Sequence, residues 1–168
     1  MKHCFLDRDG VFNYDYPYVG SLDRFIWHPL ILPILSILSS SGYKLILITN
    51  QSGIGRKYYS FSDFLEISFH MFHVLSFFDL PLEINYCPHH PSLGCRCRKP
   101  SPGLINRYQV SPDDIFIGNT SVDMLAAKNA NINNRWIISA SYCSEATKLF
   151  SSHRQLLDFL MHDEFFLR

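Results

Sequence analysis

Asp7 and Asp9, separated by one residue, stand where the short apolar run Cys4-Phe5-Leu6 gives way to Gly10. In an extended chain, side chains at i and i+2 leave on the same side. Both carboxylates can therefore converge just past the carboxyl end of a strand, where open α/β sheets bind ligands. Two acids so placed suit phosphoryl transfer. One attacks phosphorus as a carboxylate nucleophile, the other moves the proton on the leaving oxygen, and a divalent cation screens the charge between them. Taken alone, the same hexapeptide also reads as a surface turn, because Asp and Gly are common turn formers.

A second group is denser. Cys87, His89, Cys95 and Cys97 place three thiols and an imidazole within eleven residues, a donor set suited to tetrahedral zinc. The competing reading is a disulfide staple, which the amino terminus Met1-Lys2-His3-Cys4 disfavours because it lacks the apolar stretch of a signal peptide. His90 is a spare candidate for the imidazole place. Cys4 and Cys143 fall outside the cluster and read as buried thiols.

The elements that must position these residues alternate. Cys4–Leu6 reads as a strand, Pro29–Ser41 as a helix stopped by Gly42, and Lys44–Ile48 as a strand running into Thr49-Asn50. Ser60 with Asp63 looks like a helix start, and the apolar face beyond it carries that helix to about Phe78. Leu82–Tyr86 is a strand, Pro102–Gln109 a short helix, Asp114–Ile117 a strand into Gly118, Ser121–Ala130 a helix, Trp136–Ile138 a last strand and Arg154–Met161 a terminal helix. Such alternation predicts a doubly wound, mostly parallel sheet covered on both faces. With no repeat, linker or low-complexity tract, residues 1–168 read as one domain. In that architecture the ends of the first, second and fourth strands lie side by side. They would gather Asp7, Asp9, Thr49, Asn50, Asn119 and Asp123 at one edge, with Lys99 ahead of a helix. Seen singly, Thr49-Asn50 is a strand-ending cap and Lys99 a solvated loop lysine.

Composition narrows the partners. The 168 residues are 47 % hydrophobic, and 15 basic side chains cancel 15 acidic ones. No global field argues for nucleic acid or an anionic membrane. The richest apolar stretches, Leu30–Leu38 and Phe64–Phe78, are interrupted by polar residues and do not span a bilayer. A soluble, cytosolic protein is expected, and a small neutral chain suits a monomer.

Four segments, FLDRDGVFN at 5–13, TNQSGIGR at 49–56, CPHHPSLGCRCRKPSPG at 87–103 and IGNTSVD at 117–123, together resemble the haloacid dehalogenase superfamily of phosphatases. More narrowly, the chain resembles the D-glycero-D-manno-heptose 1,7-bisphosphate 7-phosphatase branch, which shares ancestry with the histidinol-phosphate phosphatases. The resemblance implies a Rossmann-like fold with a zinc-binding loop; the chain is too short to add a large cap domain. It implies that Asp7 becomes an aspartyl-phosphate while Asp9 protonates the leaving sugar oxygen and then takes a proton from water. Thr49 and Asn50 would hold phosphate oxygens, with Lys99 as the fixed cation. Asp15, Tyr18, Gln51, Ser52 and Arg98 would contact a small sugar phosphate. Asp7, Asp9, Asn119 and Asp123 would hold Mg²⁺. Structural Zn²⁺ on Cys87, His89, Cys95 and Cys97 would stiffen the loop carrying Arg98 and Lys99. The implied pathway makes nucleotide-activated heptose for surface polysaccharide.

Two adjacent positions depart from the family's Gly-Asp-Lys-x-x-Asp pattern. Asn119 stands where the magnesium-binding aspartate is expected, and Thr120 replaces the lysine. An amide oxygen still ligates magnesium but brings no charge, and Mg²⁺ favours hard anionic oxygen. This leaves three outcomes: an enzyme needing more magnesium, a shifted substrate, or a silenced relative that serves as a binding subunit. Histidinol phosphate is the alternative substrate.

Overall fold

The computed structural model describes residues 1–163. Six parallel strands form one sheet: β1 (Lys2–Leu6), β2 (Tyr43–Asn50), β3 (Leu82–Cys87), β4 (Ile115–Gly118), β5 (Asn134–Ile138) and β6 (Lys148–Phe150), in the order β3-β2-β1-β4-β5-β6. The chain reverses direction of winding at β1, so the switch point lies between β1 and β4, which is where open α/β sheets open a crevice. The helices are α1 (Ile31–Ser40), α2 (Ser52–Gly55), α3 (Phe61–Ser76), α4 (Ser121–Asn129) and α5 (His153–His162).

Strand residues alternate between two cores. Cys4, Leu6, Leu45, Leu47, Ile115 and Ile117 pack with α1, α3 and α5, whereas Phe5, Ile46, Ile48 and Phe116 pack with α4 and the segment carrying Leu104 and Ile105. Because both faces are covered, β2 reads as the near-continuous apolar run Leu45-Ile46-Leu47-Ile48. The α3 start follows the sequence signal: Ser60 Oγ accepts from the Asp63 N–H at 3.1 Å and the Asp63 carboxylate accepts from the Ser60 N–H at 2.6 Å. No helix among the described residues is long and apolar enough to cross a membrane.

Three expectations need correction. Trp136–Ile138 is not the last strand, because β6 pairs beyond it; with only three residues, β6 carries no periodic signal and is defined by its partner. Pro102–Gln109 forms just one 3₁₀ turn at Ile105–Arg107. The segment is pressed against the loop of the Cys/His cluster, where a Cβ at Gly103 would stand 2.2 Å from the Arg96 carbonyl oxygen, and a single bond from the Asn106 N–H to the Pro102 carbonyl at 2.8 Å leads into that turn. Cys143 is only half-buried, in contrast to fully buried Cys4.

The start of α5 holds a pH-sensitive contact. His153 donates from Nε2 to the Val11 carbonyl at 2.9 Å, and its ring stacks on His28 with centroids 3.4 Å apart. Burial depresses the His153 pKa to about 4, with the His28 charge adding to the effect and the Val11 bond opposing it. A histidine depressed in the folded state stabilises fully above its unfolded pKa of about 6.5 and loses that contribution as pH falls towards 4. Relative to His153→Gln, the wild-type protein is expected to lose about 2 kcal/mol between pH 7.5 and 4.5. Urea unfolding at a series of pH values checks this; parallel curves for the two proteins would contradict it.

Candidate active site

The carboxyl ends of β2, β1 and β4 are adjacent, and the motif residues of all three strands meet there. The Asp7 N–H donates to the Ile117 carbonyl at 3.0 Å, extending the β1–β4 ladder by one residue and fixing where Asp7 emerges. The chain then turns. The Arg8 carbonyl accepts from the Phe12 N–H at 2.8 Å, and Gly10 adopts φ +82°. Gly10 is required twice, since its left-handed backbone favours glycine and a Cβ there would stand 2.1 Å from Asn119 Nδ2.

Lys99 links the ends of β1 and α4. Its Nζ lies 2.8 Å from Asp7 Oδ1 and 2.6 Å from Asp123 Oδ1, and its side chain is 2 % exposed. Burial disfavours the ammonium, but Asp123 and Asp7 outweigh it and hold Lys99 charged above its usual range. Asp7 is pushed up to about 7, first by burial, with Asp123 and Asp9 adding to the rise against the opposing Lys99 charge. A cation bound beside Asp7 would reverse that rise by favouring the carboxylate. Asp123 Oδ2 caps α4, accepting from the Thr120 N–H at 3.0 Å and the Thr120 hydroxyl at 2.7 Å. The capping box thus also aims Asp123 Oδ1 at Lys99.

Asp9 is held by Gln51 and by two residues the sequence did not single out, Arg8 and Asn13. Arg8 Nη2 donates to Oδ1 and Oδ2 at 2.9 and 3.0 Å, and Asn13 Nδ2 to Oδ1 at 2.9 Å. Gln51 Nε2 donates to Asp9 Oδ2 at 3.3 Å and to Thr49 Oγ1 at 2.8 Å, while Tyr59 donates to Gln51 Oε1 at 2.6 Å. Arg8 stands between the two aspartates and Asn13 four residues past Asp9, and both could have been suspected from that position. Nothing local marks Tyr59.

Asn50 lines the cavity and also braces the Lys99 backbone. Its Oδ1 accepts from the Lys99 N–H at 3.0 Å and its Nδ2 donates to the Lys99 carbonyl at 3.1 Å. The side-chain amide clamps the Lys99 backbone and spends one of its two N–H donors there. Gln51 is likewise buried and bonded at both ends of its amide, and Ser52 opens α2.

Asp7, Asp9, Asp15, Thr49, Asn50, Arg98, Lys99, Asn119 and Asp123 line one polar cavity of about 250 Å³. A neighbouring cavity of about 180 Å³ shares Asp9, Asp15 and Asn50 and adds Tyr18, Gln51 and Ser52. Tyr18 meets Tyr58 edge-on with centroids 4.6 Å apart. A larger cavity, about 620 Å³ between α1 and α5, is lined mainly by Pro33, Ile37, Leu157 and Leu160 and holds no residue able to do this chemistry. Asn119 Oδ1 is buried without a hydrogen-bond partner among the described residues. That orphaned oxygen, together with the Asp7 carboxylate, gives a hard donor set that fits a divalent cation of the magnesium type.

The Cys/His cluster closes as a compact tetrahedron. Cys87 Sγ lies 3.5 Å from Cys95 Sγ, 3.3 Å from Cys97 Sγ and 3.6 Å from His89 Nδ1, and Cys97 Sγ lies 3.4 Å from Cys95 Sγ and 3.1 Å from His89 Nδ1. Zinc–sulfur arms of about 2.3 Å in a regular tetrahedron give edges of about 3.8 Å, so these spacings approach a zinc site. No cysteine among the described residues is in a disulfide. His90 instead bonds Ser92 at 2.7 Å, outside the cluster. Arg98 and Lys99 follow Cys97 directly, so the cluster anchors the loop that delivers Lys99 to the sheet edge.

Comparison with known proteins agrees with this geometry. The profile of the polynucleotide kinase 3 phosphatase family matches residues 16–160. D-glycero-beta-D-manno-heptose-1,7-bisphosphate 7-phosphatase of Helicobacter pylori is 39 % identical over 145 residues, covering 82 % of this chain and 83 % of the relative. The Pasteurella multocida protein of the same name is 39 % identical over 149 residues, covering 82 % of this chain and 81 % of the relative. Among solved structures, D,D-heptose 1,7-bisphosphate phosphatase from B. bronchiseptica, complexed with magnesium and phosphate, superposes with a TM-score of 0.85 at 29 % identity, covering 96 % of this chain and 98 % of that one.

Proposed function

The chain belongs to the polynucleotide kinase 3 phosphatase family, and from that premise we propose that it removes the 7-phosphate of a D-glycero-D-manno-heptose 1,7-bisphosphate. The observation that carries this reading is the buried Asp7–Lys99 pair, 2.8 Å apart at the edge of a polar cavity, in a chain whose relatives bear that enzyme's name. Asp7 attacks phosphorus, a bond forms from its carboxylate oxygen, and the ester bond to the sugar oxygen breaks. Asp9 gives its proton to that oxygen. In the second half Asp9 takes a proton from water, the water oxygen attacks phosphorus, and the bond to Asp7 breaks to release inorganic phosphate.

Charge spreads over the equatorial phosphoryl oxygens during each transfer, so catalysis is mainly positioning and neutralisation. Lys99 supplies a fixed positive charge, and Thr49 a hydroxyl. Arg8, Asn13 and Gln51 keep the Asp9 carboxylate in one orientation. When bound, Mg²⁺ on Asp7 and Asn119 supplies further charge neutralisation; Asp123 contributes from behind Lys99. Arg98 lines the cavity and is suited to a second phosphate by its planar fork. The two adjoining cavities match a small polar sugar better than an apolar ligand. Structural Zn²⁺ on Cys87, His89, Cys95 and Cys97 completes the metal complement.

Phosphate release measured on the heptose bisphosphate, histidinol phosphate and simple sugar phosphates, across magnesium concentrations, tests the assignment. The expected result is at least about 100-fold higher kcat/KM for the heptose bisphosphate. Release from none of them at any magnesium concentration would leave a non-catalytic relative. Asn119→Asp restores an anionic ligand, and its half-saturating magnesium is expected to fall about tenfold with equal or higher turnover. An unchanged magnesium response would refute the weakened-ligand account.

A further inference from the structure

We infer that Asp15 is the positioning residue of the cation site: it fixes the Asn119 amide and supplies, from outside direct contact, the negative charge that an asparagine does not bring. The inference rests on the magnesium reading above. Asn119 Nδ2 donates to Asp15 Oδ2 at 3.1 Å, across 104 residues of sequence. An ionised carboxylate only accepts hydrogen bonds, so this contact dictates which way the amide points. The NH₂ must face Asp15, and Oδ1 must face the other way, where it lies buried without a partner. Gly10 completes the clamp, since its Cα leaves room for the amide and a Cβ would overlap Nδ2. Without Asp15, nothing else among the described residues holds the amide in the orientation that offers an oxygen to a cation.

Charge leads to the same residue. Asp123 lies 2.6 Å from Lys99, so its charge is already balanced, and Asp9 is balanced by Arg8 at 2.9 Å. Among the described residues Asp15 makes no ion pair, yet it lines the same cavity as Asp7 and Asn119. Its carboxylate therefore adds negative charge to the cavity without being tied to a cationic side chain within ion-pair distance. A carboxylate that bonds a metal ligand orients that ligand and typically changes metal affinity by 10–100-fold. Asp15 is thus read as acting through Asn119 and not solely as a contact for sugar hydroxyls.

The test measures magnesium binding itself. MgCl₂ is titrated by calorimetry into zinc-loaded wild-type protein, Asp15→Asn, Asn119→Asp and the double variant, without substrate. Asp15→Asn is expected to weaken magnesium about tenfold. In the Asn119→Asp background the same change is expected to leave affinity within about twofold or to tighten it, because two facing carboxylates repel. Asp15 is exposed, so folding should be preserved; zinc content and melting temperature check this, and Asp15→Ala repeats the measurement without an amide. Equal magnesium affinity for wild type and Asp15→Asn, with only KM raised, makes Asp15 a sugar contact and overturns the inference. Equal losses in both backgrounds overturn it too, since the effect would not run through Asn119. Binding by Asn119→Asp but not by wild type overturns this inference alone. No binding by any form overturns the magnesium reading and, with it, this one.

Discussion

Asp7→Asn is expected to lower phosphate release by at least about 10⁴-fold, because the amide cannot form the acyl-phosphate bond that divides the reaction into two steps. At about 1.4 kcal/mol per tenfold this is more than about 5 kcal/mol of transition-state stabilisation. The same substitution is expected to leave the fold intact and, without divalent cation, firmer. Burial raises Asp7 to about 7, so the folded state favours its neutral form. That contribution is fully present below the unfolded pKa of about 3.8 and is lost as pH rises towards 7. An amide has the shape of the neutral acid and does not titrate. It should therefore stabilise the metal-free protein by about 2 kcal/mol at pH 7.5. Lys99 keeps Asp123 at 2.6 Å, so no buried charge is stranded. Phosphate release and melting curves with and without magnesium together test the point. Residual turnover above about one part in a hundred would exclude Asp7 as nucleophile, whereas destabilisation with loss of activity would leave its role structural.

The second large effect concerns the Cys/His cluster. Cys97→Ser is expected to abolish stoichiometric zinc, lower the melting temperature by roughly 10 °C and reduce kcat by at least about 100-fold. Zinc binding in small domains is worth about 10–16 kcal/mol, but here only a loop on an otherwise packed sheet depends on it. A loss of about 3–5 kcal/mol is the proportionate expectation. Burial raises Cys87 to about 12, whereas its neighbours Cys97 and Cys87 pull Cys95 down to about 7 against burial. Without a metal to hold thiolates, the cluster would relax. Lys99 lies two residues beyond Cys97 and must reach Asp7 at 2.8 Å, so slackness in this loop is transmitted to the chemistry. Zinc content, calorimetry and kinetics on one preparation check all three expectations. Cys143→Ser, outside the cluster, provides the comparison and is expected to shift stability by no more than about 0.5 kcal/mol. Normal zinc and normal activity in Cys97→Ser would remove the cluster from the account.

The structure bears out the alternation of strands and helices and the meeting of three strand ends, and both follow from local pattern. Apolar runs of three or four residues, separated by helices, leave few ways to bury both faces other than a parallel sheet. Where pattern was thin, the reading failed. β6 has three residues and exists because β5 offers an unpaired edge. The segment after Pro102 carries helical spacing, but Gly103 is pressed against the Arg96 carbonyl, and one 3₁₀ turn led in by a single Asn106-to-Pro102 bond is what forms.

The sequence by itself determined which chemistries were available. The spacing of Asp7 and Asp9 places two acids on one side of an extended chain, and the spacing from Cys87 to Cys97 allows four ligands to close on one ion. Both depend on short stretches of backbone. Tertiary structure alone decided how the remaining side chains were used. It turned the Asn50 amide onto the Lys99 backbone, brought Tyr59 through Gln51 to Asp9, and set Asp15 against Asn119. The physical reason is that a polar side chain's role depends on the partner it meets after burial. Partners 49 or 104 residues away are chosen by how the strands stack and the loops cross, and the spacing of residues along the chain does not specify that choice.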